Sequence, residues 1–153
     1  MTIITKRVIF ASVFLVCASC AFSQSQNFVS KMLETKNANY GQACYLSGVY
    51  QGLVDENASE EKAFQILQDA GQVKKNLKAS DAISYSAFCA LAAKSWKIGG
   101  SLWFRASKGA SRYAFRQFKA DKIIVSDVDP SAKISGSDML TIFTLCEEKY
   151  GVE

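Results

Sequence analysis

Arg105, Lys108, Arg112, Arg116 and Lys119 recur along Ser101–Lys119, a stretch that also holds five aromatic residues and no anion. Wound at 100° per residue, the five cations fall within about 80° of one another on a helix. Trp103, Ala110, Ala114 and Phe118 fall opposite, with Phe104 and Phe115 flanking. Such a helix buries an aromatic-and-alanine face and presents a narrow cationic stripe. The chemistry open to the stripe is docking on an anionic surface. The competing reading is an ordinary solvated face, partly neutralised by an acidic C-terminal helix across the bundle. Charge is polarised along the chain: residues 94–122 carry eight Lys/Arg against Asp121 alone, whereas residues 123–153 carry six acids against two lysines. An acidic protein surface is the partner that fits best, because charge complementarity speeds association and selects the right partner. Nucleic acid fits poorly, since Trp103 and Phe118 face the core and are not free to stack on bases. Membrane contact is not favoured, because the apolar side of this helix is committed to packing.

Catalytic arrangements are hard to build from the remaining residues. The chain has no histidine, so it has no Ser-His or Cys-His pair and no histidine metal cluster. Cys44, Cys89 and Cys146 lie 45 and 57 residues apart, with no Cys-x-x-Cys. Neither a zinc site nor a thioredoxin-like site is signalled. No glycine loop of the phosphate-cradling kinds is present. Acids pair at Asp55–Glu56, Glu60–Glu61, Asp127/Asp129 and Glu147–Glu148. A glycosidase needs two carboxylates across a cleft with separated pKa values, yet all four pairs fall in turns or at helix ends. Asp127 to Pro130 lacks the further ligands of a calcium loop. The expectation is a binding protein without metal or cofactor, not an enzyme.

The N-terminus reads as an export signal. Lys6 and Arg7 form a short basic region, Val8–Phe22 is uncharged and mostly apolar, and Ala21 and Ser23 suit a cut before Gln24. The apolar run is shorter than the roughly 20 residues of a membrane span. Residues 1–23 are therefore expected to leave, and residues 24–153 to form one domain in a periplasm. Cys20 offers the alternative of lipid anchoring. In an oxidising compartment Cys44, Cys89 and Cys146 are disulfide candidates, with the pair left open among three. Such a bridge would stabilise the fold by about 3–5 kcal/mol in the chain-entropy description.

The elements that must position these residues are helices. Periodicity predicts helices over about 27–35, 40–54, 59–73, 81–98, 101–119 and 138–150, making an all-α bundle of five or six. Ser59, Ser80 and Ser137 are the expected N-caps, and Gly99-Gly100 and Gly151 the expected stops. Cys44, Gly48 and Gly52 recur every fourth residue and predict a groove that another backbone approaches. The helix over 81–98 has no charge from Ala82 to Ala93 and is expected to be central. Residues 122–128 read equally as a short strand or an extended link.

Two segments carry a family resemblance. Gln42–Asp55, "QACYLSGVYQGLVD", resembles the Cys-x-x-[Gly/Ser]-x-x-x-Gly helix of the periplasmic Rap/Tai immunity proteins. Ser135–Glu148, "SGSDMLTIFTLCEE", resembles their Ser-Gly-x-[Asp/Glu]-Leu-x-x-x-Cys segment, although that segment usually comes first in the family and here comes last. The resemblance implies a non-enzymatic inhibitor of a type VI secretion amidase effector, plugging the cleft of a peptidoglycan amidase. It also implies a homodimer, and Cys44 and Cys146 as structural disulfide formers. If an accessory role in the envelope is the true one, Cys20 would carry the anchor instead.

Overall fold

The computed structural model describes residues 27–99 and 110–151. The chain divides into two units, Met1–Lys31 and Met32–Glu153. Residues 27–31 of the first are helical, and the packing below is that of the second. The described residues form six helices and no strand: α1 (27–34), α2 (Tyr40–Tyr50), α3 (Glu60–Asp69), α4 (Tyr85–Ser95), α5 (Ser111–Ala120) and α6 (Gly136–Tyr150).

The helices start where an oxygen is at hand to take a free amide. Asn39 and Gln42 form a reciprocal box at α2: the Gln42 N–H donates to Asn39 Oδ1 (2.8 Å) and the Asn39 N–H to Gln42 Oε1 (3.1 Å). Ser59 caps α3, as its position before two glutamates predicts. Ser84, not Ser80, caps α4, and Ser135, not Ser137, caps α6.

Both corrections have one cause. Ala38, Ile83 and Ile134 close a ring of backbone hydrogen bonds: Ala38 N–H to Ile134 O (2.8 Å), Ile134 N–H to Ile83 O (3.1 Å), and Ile83 N–H to Ala38 O (3.0 Å). All three residues are fully buried. Buried backbone groups must find partners, and here three loops supply them to one another. The same loops serve the helix starts. Asp81 O and Ala79 O accept from Tyr40 and Gly41 at α2, Ala132 O and Pro130 O accept from Tyr85 and Ser86 at α4, and Thr35 O accepts from Gly136 at α6. Residues 81–84 are thus held in the junction and cannot join α4. At Gly136 a Cβ would collide with the Met32 carbonyl, so only glycine lets α6 begin there.

Four helices end alike. The residue after the C-cap turns to positive φ at Gly52 (68°), Gly71 (70°), Lys97 (48°) and Lys122 (61°). In each, the next two amides return to the last turn, as where Lys122 N–H reaches Lys119 O and Ile123 N–H reaches Phe118 O. Residues 122–128 are therefore no strand. They fold back beneath α5 with Ile123 and Ile124 buried. Gly99-Gly100 is not the stop of α4, which ends four residues earlier through Lys97.

Helix α4 packs against α2, α5 and α6, and α2 also against α3. It buries Tyr85, Phe88, Cys89, Leu91, Ala92, Ala93 and Ser95, as a central helix should. Fully burying a Phe or Leu side chain is worth about 1.5–3 kcal/mol. The small-residue face of α2 receives side chains, not a backbone: a Cβ on Gly48 would meet Val54 and Leu67. Gly52 serves the turn instead, with open space around it. Leu33, next to the fully buried Met32, is 57 % exposed.

Candidate functional site

Helix α5 has two faces. Ala114, Phe115 and Phe118 are buried against α4, while Arg112 and Arg116, one turn apart, are exposed. Ala110, expected in the core, is exposed and extended ahead of the helix. Arg105 and Lys108 lie outside the described residues, as do Trp103 and Phe104.

The stripe is not uniform. Lys119 Nζ donates to Asp127 Oδ1 at 3.0 Å, an exposed pair. Asp121, just past α5, is drawn into a denser network. Gln117 Nε2 donates to its Oδ2 (2.9 Å), the Tyr150 hydroxyl donates to the same oxygen, and Lys149 Nζ lies 3.7 Å from Oδ1. Burial pushes the Asp121 carboxyl up, but the bonds from Tyr150 and Gln117 and the Lys149 charge more than offset it and hold the group below its usual range. Burial and the Asp121 bond push the Tyr150 phenol up. Among the described residues the acid that pairs with the stripe is Asp127, at Lys119, and the C-terminal helix contributes a cation, Lys149. Arg112 and Arg116 form no ion pair or hydrogen bond among the described residues. The free cationic face is the N-terminal half of α5.

The three cysteines are free thiols, and all are buried. Burial pushes the Cys44 and Cys146 thiols up to about 12, and Asp121 adds to the shift at Cys146. Burial pushes Cys89 up further, with the neighbouring Cys146 adding to it. Thiols so placed are poor nucleophiles at neutral pH.

The acid pairs do not converge on a cleft. Asp55, Glu56, Asp127, Asp129, Glu147 and Glu148 are exposed. Asp129 is held below its usual range by the Ser131 amide and hydroxyl, a local turn. Among the described residues no group of acids and cysteines could hold a metal ion.

Sequence reasoning missed an aromatic cluster. Trp96 lies 4.4 Å from Tyr50 and 4.6 Å from Phe143, centroid to centroid. The three side chains come from the ends of α2 and α4 and from the middle of α6, so no spacing in the chain could join them. The buried Trp96 Nε1 and Ser47 Oγ find no hydrogen-bond partner among the described residues.

Compared with known protein families, curated proteins and solved structures, the chain finds no match.

Proposed function

We propose that this protein is an exported, non-enzymatic binding protein that inhibits a cell-wall hydrolase, acting as an immunity protein in the periplasm. Export follows from the Lys6–Ser23 pattern, and the hydrolase from the resemblance carried by Gln42–Asp55 and Ser135–Glu148. The observation that carries the docking face is the contrast within one helix. Lys119 is paired with Asp127, while Arg112 and Arg116 stand exposed one turn apart with no partner among the described residues. Two guanidinium groups so placed match carboxylates of an acidic partner and can bind them bidentately. All three cysteines are buried free thiols in the structure, and no pair of them is bridged. The family resemblance would instead pair Cys44 with Cys146.

The test is capture of partners from native envelope extract by tagged mature protein, read by mass spectrometry. A stoichiometric peptidoglycan hydrolase whose activity is blocked in the complex is the expected result. Capture of lipids or outer-membrane proteins alone, with an acylated Cys20, would overturn the reading in favour of an envelope accessory.

A further inference from the structure

A cleft of about 500 Å³ opens where the Gly71–Leu77 link, one face of α4 and the start of α5 meet. Its α4 wall is Ala87, Ala90, Leu91 and Lys94, the i, i+3, i+4, i+7 face of the helix. Two of those positions are alanines, which leaves the space. Opposite stand Lys74 and Leu77, and Ser111 closes the edge. The lining joins the apolar α4 side chains and Leu77 to the polar Tyr40, Gln72 and Asn76 and two lysines, with no carboxylate among the described lining residues. Lys94 Nζ donates one hydrogen bond, to Gln72 O (2.8 Å), and an ammonium has three to give. Partial desolvation lowers the Lys94 pKa, although the side chain remains exposed. Helix α5 begins at this edge with no side-chain cap, unlike α2, α3, α4 and α6. Ligand sites typically combine a volume of roughly 300–1,000 Å³ and an apolar lining with a few placed polar groups.

We propose that this cleft binds a small organic phosphate, its anionic group between Lys74 and Lys94 and its apolar body against Ala87, Ala90 and Leu91. Two lysines and no acid match the charge of a phosphomonoester, about −1.5 to −2 at neutral pH, better than that of a carboxylate. The cleft adjoins the Arg112–Arg116 face at Ser111, but its lining includes neither arginine.

The probe is phenyl phosphate, titrated into the mature protein and followed by amide NMR and calorimetry, with benzoate and inorganic phosphate as companions. Phenyl phosphate is expected to move the amides of Ser111, Leu77 and Lys94 and to bind more tightly than either companion. Lys94→Met keeps the apolar stem and should weaken it roughly tenfold. Ala90→Leu fills the floor and should abolish it. If Ala90→Leu does not fold, Lys94→Met alone decides. Inorganic phosphate binding as tightly as phenyl phosphate would remove the apolar floor from the site. Benzoate binding as tightly would remove the dianion. Amides elsewhere moving, none moving, or no change in Lys94→Met would overturn the site altogether.

Discussion

Two regions of this molecule treat their polar groups in opposite ways. At the junction of Ala38, Ile83 and Ile134, every backbone N–H and C=O of the ring finds a partner, and the starts of α2, α4 and α6 are fed by the same loops. At the start of α5 there is no side-chain cap, and Arg112 and Arg116 are exposed without partners among the described residues. A saturated region contributes stability and uniqueness. An unsaturated one can bind without first giving up internal contacts. The difference separates the residues that hold this fold from those that are free to act, and substitutions in the two regions should differ in kind.

The largest effect should come from the junction. Ile134→Ala removes a fully buried side chain at the ring and should cost about 2–5 kcal/mol in a denaturant melt. A cost below about 1 kcal/mol would mean that the ring is not what holds the three loops. The next concerns the network that joins Asp121, just past α5, to Gln117, Lys149 and Tyr150. The Asp121 carboxyl is held below its ordinary value of 3.8 in the folded state. Its contribution is therefore present above that pH and lost as the pH falls through the folded value. Acid melts of the wild type and Asp121→Asn should converge at low pH and separate above it. Parallel curves would show that Asp121 is not linked to folding.

How much of this was legible depends on how far apart the partners lie. The start of α3 was readable because its signal is local, Ser59 before two glutamates; its end was not, since the expected helix ran to residue 73, past the Gly71 turn. The start of α4 was not, because Ser80 and Ser84 are both sound caps by local rules. What decides between them is a ring closed by residues 45 and more positions apart. The end of α4 was missed for a different reason, whereas α5 ends within one residue of the expected position. Lysine is no signal for positive φ, yet Lys97 and Lys122 adopt it. The stripe was legible as charge and not as free charge. Position in sequence shows that Lys119 and Arg116 share a face, and only the fold-back of 122–128 brings Asp127 onto Lys119 alone.

Those two lysines give the next prediction. An L-residue in the left-handed region costs roughly 1–2 kcal/mol, which glycine avoids. Lys97→Gly and Lys122→Gly should each stabilise the protein by about 0.5–1 kcal/mol once the entropy of the glycine is counted. Gly52→Ala should destabilise it, although open space surrounds that position. A thermal melt that ranks the three otherwise would show that the helix ends relax.

The smallest effect on stability is expected where the largest effect on binding is. Arg112→Glu with Arg116→Glu changes two exposed side chains and should move the melt by no more than about 0.5 kcal/mol. Capture from native envelope extract, run in parallel with the wild type and this double variant at low and high salt, tests the docking face most directly. The account predicts that the wild type retains a peptidoglycan hydrolase at low salt, that the double variant loses it, and that the difference narrows as salt screens the charges. Equal retention by both proteins at every salt concentration, with the variant folded, would contradict it.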